Sequence, residues 1–337
     1  MSQVICLGES LMDRIADEVG QELNLIQNWT NFPGGAPANV ACALSRLGTS
    51  SSFLGCISRD TFGEELISTL RFYDVDRSLV QRHLTAITRQ VLVTRDARGG
   101  RAFGGFNQSH QVFADSQLSF RKQDASFFSS ASFLYLGSLI LAEPQCRSAV
   151  EQYLQMAQFH GLQIFMDVNL RPMFWHASDS SKSIIFKVLA HINYLKVASE
   201  EAQWLFETQN PTQICDRFPK LQGVFVTAGD QGCHYQLHGF SGACPAFSVQ
   251  SIDTTGAGDG FVAGCLHQLL TCPTFSHPSH AESLVRYANA VGGLSTLHIG
   301  AIAPDPTPKM SSNSSKMAKA ILYNLGSGRQ TSNNHNG

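Results

Sequence analysis

Charge is scarce in this chain. Only 15% of its 337 residues are Asp, Glu, Lys or Arg, and they leave a formal net charge of −2. No block of Lys and Arg stands out, so the electrostatic footprint of a nucleic-acid binder or of a protein docking on anionic membranes is missing. No stretch reaches the ~20 uncharged apolar residues of a membrane-spanning helix. The first residues run directly into the apolar segment Val4-Ile5-Cys6-Leu7. With no basic segment and no long apolar core there, a signal peptide is not expected. The nine cysteines are odd in number, include no Cys-x-x-Cys pair and mostly sit in apolar company. They read as reduced, buried thiols of a cytoplasmic protein and not as disulfides or zinc ligands. The twelve histidines lack metal-ligand spacing, and His277 and His280 lie in a polar Pro/Ser stretch that reads as loop.

What remains is a chain that is 43% hydrophobic, enough to bury a large core. Short, nearly continuous apolar runs at 4–7, 53–57, 133–136, 164–168, 194–197 and 224–227 predict strands. Amphipathic segments at 38–47, 62–72, 145–159, 182–192 and 200–206 predict helices between them. Continuous apolar strands alternating with helices imply an α/β fold, a mainly parallel sheet covered on both faces.

Two stretches break the rhythm. Residues 12–33 are polar and turn-rich, and 86–106 read as a hairpin turning at 96–100. Antiparallel strands inserted into an α/β chain form a separate small sheet that can cover a site and exclude water. From Pro304 onward the chain turns polar, with Ser311-Ser312-Asn313-Ser314-Ser315 and a Gly/Ser/Asn-rich end after Gly326. This predicts a domain over 1–308 and a polar tail over 309–337, partly disordered, with a short helix at 316–325.

The most informative string is Asp253-Thr254-Thr255-Gly256-Ala257-Gly258-Asp259-Gly260-Phe261. Its glycines permit a tight bend, and the apolar residues that follow predict a helix. A small-residue turn opening a helix aims free amides at one spot, where an anion binds with help from the helix dipole. Asp259 falls where those amides converge and can take a proton from an attacking hydroxyl. The string is neither a dinucleotide fingerprint, because the sixth position is Phe261, nor a Walker loop, because no Gly-Lys-Ser/Thr follows. A second small-residue string, Pro33-Gly34-Gly35-Ala36-Pro37-Ala38-Asn39, lets backbone approach a polar ligand, and Asn39 offers a donor and an acceptor to a hydroxyl pair. Asp13 follows the first strand, at the carboxyl edge where open α/β sheets bind ligands.

Together the two strings resemble the signatures of the ribokinase-like, or PfkB, carbohydrate kinases, above all the fructokinase branch. Weaker likenesses run through Leu136-Gly137-Ser138, Asp167-Val168-Asn169-Leu170-Arg171-Pro172, Lys196–Glu201 and Val226-Thr227-Ala228-Gly229, covering most of residues 3–304. The resemblance implies a doubly wound sheet with a small β-sheet lid, formed by segments near 12–33 and 86–113. It implies ATP-dependent phosphorylation of a sugar's primary hydroxyl, most readily D-fructose to fructose 6-phosphate. Asp259 would be the base, the amides of Gly256, Ala257 and Gly258 the anion hole, and Arg171 a phosphate ligand. Asp13, Gly34, Gly35 and Asn39 would hold the sugar, with Phe103 or Phe106 packing on it. Asn169, Lys196, Thr227, Gly229, Gly232 and Asn289 would serve the nucleotide. Glu201 would reach magnesium through water, although Ala198 stands where the family carries Asn. A monovalent cation, K+, would sit near Asp253 and Thr255. Pairing of lid edges would make a homodimer. Three alternatives stay open: 2-keto-3-deoxygluconate, for which Arg89, Arg95 and Arg101 could recruit the acid; ribose; and a catalytically silent regulatory protein.

Overall fold

The structure, a computed structural model, describes residues 2–95, 101–106, 112–175 and 180–302, with backbone alone at 95 and 101–103. The expected turn at 96–100, the tail from 309 and its helix at 316–325 lie outside the described residues, as does the side chain of Phe103.

The chain starts with β1 (Val4–Leu7), β2 (Leu11–Ala16), β3 (Trp29–Gly34) and α1 (Ala36–Arg46). Next come β4 (Ser51–Leu54), β5 (Cys56–Ser58), α2 (Thr61–Phe72), β6 (Gln81–His83), β7 (Gln90–Arg95), β8 (Arg101–Phe106) and α3 (Ala125–Phe128). Then follow β9 (Phe133–Gly137), α4 (Pro144–Phe159), β10 (Gln163–Asp167), α5 (Ser181–Leu189), β11 (Tyr194–Ala198), α6 (Ser199–Phe206) and α7 (Pro211–Arg217). The described chain closes with β12 (Gly223–Thr227), β13 (Cys233–Leu237), β14 (Phe240–Cys244), α8 (Ala257–Thr271) and α9 (Pro278–Ser295).

Eight strands form the central sheet in the order β14-β13-β12-β11-β10-β9-β1-β4. The six from β12 to β4 run parallel, and β13 and β14 add an antiparallel edge. The parallel strands are buried along nearly their whole length because helices cover both faces. Alternate side chains feed two cores, as the two-residue strand period requires. Cys6, Tyr135, Phe165 and Phe225 face the layer that includes α1, α8 and α9. Leu7, Leu134, Leu136, Ile164 and Val224 face the layer that includes α4, α5 and α6.

The chain leaves β1 toward β4 on one side and later fills β9 to β12 on the other, so the order reverses beside β1. Open sheets of this kind hold ligands at that crevice, outside the carboxyl ends of the strands. Above it stands a separate sheet in the order β3-β2-β7-β8. Residues 12–33 supply two paired strands of that small sheet, the segment expected to form part of the lid. Two details differ from the sequence-based expectation. The single strand expected at 53–57 breaks at Gly55 into β4 and β5 of different sheets. At Gly55 a Cβ would come within 2.4 Å of the Gly8 carbonyl, so only glycine fits. The stretch at 277–280 is no loop: His277 caps α9 by accepting from the Ser279 N–H, with Pro278 in the first turn.

Candidate active site

A cleft of about 560 Å³ lies between the carboxyl ends of the central strands and the small sheet. That is an ordinary size for a small-molecule site. Leu11, Asp13, Val91 and Val93 of the small sheet form its roof, apolar but for Asp13, and Glu9, Asn39, Lys196, Glu201 and Asp259 give it a polar floor.

Asp259 owes its position to a local choice in the sequence. Gly256 precedes α8 in the left-handed region, with φ of 79°. A Cβ there would meet Ala301 at 2.8 Å, so glycine is required on two grounds. The bend places Asp259 in the first turn of α8, where the helix dipole favours a carboxylate. Among the described residues, the backbone N–H groups of Gly256 and Gly258 have no hydrogen-bond partner and are available to an anion. Ala257 departs from the expected three-amide hole, because its N–H donates to the Thr254 carbonyl at 3.2 Å. Burial pushes the Asp259 carboxyl up, while the Asn39 hydrogen bond, then Lys196 and Arg171, pull it back, leaving a net rise.

Asn39 sits in the first turns of α1 and donates from Nδ2 to Asp259 Oδ2 at 2.8 Å. Its own Oδ1 is buried and has no partner among the described residues, an acceptor that suits a hydroxyl ligand. Gly35 turns the chain into α1 at φ 100°, where a Cβ would meet the Glu9 carbonyl at 2.6 Å. Gly34 leaves room for Asp13: a Cβ would lie 2.6 Å from Asp13 Oδ2.

Lys196 reaches the cleft floor from β11 and pairs with Asp167 at 3.1 Å, both groups being buried. Burial alone would lower the ammonium pKa; Asp167, Glu201 and Asp259 outweigh it and hold Lys196 charged. Asn169 takes a left-handed φ of 37° just beyond β10, and both Asn169 and Arg171 line the cleft. Among the described residues the Arg171 guanidinium bonds to the neighbouring Leu170 carbonyl alone, at 3.1 Å, which leaves its fork usable by phosphate.

Other expected residues serve as supports. Glu201 accepts from the Leu170 N–H at 2.6 Å and the Ala198 N–H at 2.8 Å, tying the loop after β10 to the start of α6. No cluster of three or more metal-binding side chains exists among the described residues. Asp253 accepts from the N–H groups of Thr255 and Gly300, and Thr255 itself lines the cleft. Asn289 does not line it; its amide donates to the Cys244 and Pro245 carbonyls at 3.1 Å. Thr227, Gly229 and Gly232 also stand outside this lining. Gly232 packs so closely that a Cβ would lie 2.2 Å from the Cys244 carbonyl. Phe106 is one layer back, stacked edge-on against Phe174, which does line the cleft. Arg89 is unavailable to any ligand, because it is buried and paired with Asp115 at 2.8 Å and Glu143 at 2.6 Å.

Sequence reasoning passed over Glu9. It lines the cleft, is 3% exposed, and burial pushes its carboxyl up to about 8. One acid after a strand carries no signal of this kind; only the fold buries it.

A family model described as pfkB family carbohydrate kinase matches residues 1–308. Fructokinase-1 of Oryza sativa subsp. japonica is 32% identical over 308 residues, 90% of this chain and 94% of that protein. Probable fructokinase-2 of Arabidopsis thaliana is likewise 32% identical, over 90% of this chain and 93% of its own. Among solved structures, a fructokinase from Xylella fastidiosa with bound ATP superposes with a TM-score of 0.80 at 26% identity, covering 97% of this chain and all of that one. A fructokinase from Vibrio cholerae O395, bound to fructose, ADP and calcium ion, superposes at 0.74 with 28% identity over 90% of this chain and 95% of its own. With the family pattern running from the first strand to the end of the described core, and with its two signature strings meeting in one cleft, the chain belongs to the pfkB family of carbohydrate kinases.

Proposed function

We propose that the protein transfers the γ-phosphoryl group of ATP to the C6 hydroxyl of D-fructose. The observation that carries the reading is the meeting of Asp259, Asn39, Asp13, Arg171 and Lys196 in one cleft at the open N-terminus of α8. The names of the relatives, and the fructose and ADP in the Vibrio structure, favour fructose over other sugars.

Asp13 and Asn39 hold sugar hydroxyls, and Asp259 accepts the proton of the attacking one. The amides of Gly256 and Gly258, with Arg171, carry the negative charge that spreads over the transferring phosphoryl oxygens. Lys196 supplies a buried positive charge beside Gly258, its Nζ standing 3.1 Å from where a Cβ would be. The small sheet acts as a lid whose apolar underside keeps water from the phosphate. Glu201, which keeps spare lone pairs, would hold a magnesium ion through the ion's water shell, and the ion would supply neutralisation of phosphate charge. Asp253 and Thr255 would hold K+, and the outer strands β3 and β8 of the small sheet would join two copies into a dimer.

A sugar panel with coupled ADP detection is the direct test. Fructose is expected to give the highest kcat/KM, ahead of ribose and 2-keto-3-deoxygluconate. Release of ADP that no sugar accelerates would reject the reading.

A further inference from the structure

We infer that Glu9 is a positioning residue for phosphoryl transfer: its carboxyl group, seated at the start of α1, sets the place of Asn39 and through it the place of Asp259. The inference rests on the sugar-kinase reading.

The geometry begins with a missing cap. Helix α1 starts after Gly35, which has no side chain to satisfy the first N–H groups. Pro37 lacks one. Glu9 fills the role from a distant segment, accepting the Ala36 N–H on Oε1 at 3.0 Å. The cap also locks the strand end to the helix, since a Cβ at Gly35 would already touch the Glu9 carbonyl. One turn further along α1, Asn39 reaches Asp259. The path is therefore Glu9 to the helix start, the helix to Asn39, and Asn39 to the base.

The other oxygen, Oε2, is buried and has no partner among the described residues. Around it stand further acids. Asp115 comes from the turn after β8, Asp259 from α8, and the buried Tyr135 hydroxyl from β9. Arg89 is no counter-ion here, because its guanidinium bonds to Asp115 and Glu143. An ionised Glu9 would be an uncompensated buried charge beside two carboxyl groups. Burial first, then Asp115 and Asp259, raise its pKa to about 8, against the Ala36 N–H that lowers it. At neutral pH Glu9 is thus a neutral cap. Above that range it ionises and its charge repels the carboxylate of Asp259, the group it helps to seat.

The test compares the wild-type enzyme with Glu9→Gln and Glu9→Ala in kcat–pH profiles from pH 6 to 9.5, at saturating sugar and ATP. Glu9→Gln keeps an acceptor for Ala36 and stays neutral at every pH. It is expected to hold a turnover within about threefold of wild type at pH 7 and to lose the alkaline fall that wild type shows above pH 8. Glu9→Ala removes the acceptor and is expected to lose on the order of tenfold to a hundredfold in kcat, the scale of a misplaced reacting group. An alkaline limb unchanged in Glu9→Gln, or a wild-type kcat in Glu9→Ala, would overturn the inference. If Glu9→Ala does not fold, the Glu9→Gln profile decides alone. A wild-type protein that releases no ADP with any sugar defeats the kinase reading instead, so the two failures are distinct.

Discussion

Asn39 donates to Asp259 at 2.8 Å across 220 residues of chain. The bond joins the first helix of the fold to the first turn of α8, and it joins a candidate sugar ligand to the candidate base. Whatever orients the sugar therefore also orients the group that would take its proton.

Replacing Asp259 by Asn keeps the shape and a polar contact while removing the proton acceptor. Turnover is expected to fall by about 10²-fold or more, the usual contribution of a general base, with fructose still bound. Steady-state kinetics alongside calorimetric titration of the sugar measure both. A turnover near wild type would exclude Asp259 as the base.

Asn39→Ala alters the pH dependence in a defined direction. The Asp259 carboxyl is raised by burial and lowered by Asn39. The base works ionised, so kcat climbs as pH rises through its pKa. Loss of Asn39 leaves burial less opposed, and the acidic limb of the kcat profile moves to higher pH. A limb that moves to lower pH, or not at all, contradicts the bond's role.

Lys196→Met strands Asp167, which is 1% exposed. Breaking one side of a buried pair costs about 3–5 kcal/mol, so the urea midpoint should drop sharply. Adding Asp167→Leu should restore much of the loss, because a matched apolar pair leaves no lone charge. Equal stability of the single and double variants would deny the pairing its structural part.

Gly34→Ala places a methyl 2.6 Å from Asp13 Oδ2. The carboxylate must shift, and kcat/KM for fructose is expected to fall by about tenfold or more while KM for ATP changes little. Equal losses toward both substrates would mean a general disturbance of the cleft.

Glu9 also leaves a mark on stability. Its pKa in the folded chain is about 8, against 4.5 as an ordinary Glu. The folded state therefore holds a proton that the unfolded state releases, so stability declines with pH between about 4.5 and 8 and levels off above. The thermal midpoint of wild type relative to Glu9→Gln should fall across that window. A difference constant with pH would show that Glu9 ionises normally.

Much of this molecule can be read in linear order. The six parallel strands announce themselves as nearly continuous apolar runs, β4 only in its second half, because a strand buried on both faces has little polar side to show. The turn at Gly256 and its acid also stand out, since an anion-binding corner needs small residues, a helix and a carboxylate within a few positions. Local signals fail where contacts are distant. The strands at 11–16 and 29–34 are masked because they carry Asp13 toward the cleft and Thr30 and Asn31 toward solvent. The pairing of Arg89 with Asp115 and Glu143, the retreat of Asn289 behind the loop after β14, and the burial of Glu9 depend on segments that meet only after folding. Residue order settles which groups are present and where the backbone can bend. Desolvation and long-range contact settle which of them keep a proton, which are already paired and which still face a ligand, and those properties belong to the folded chain alone.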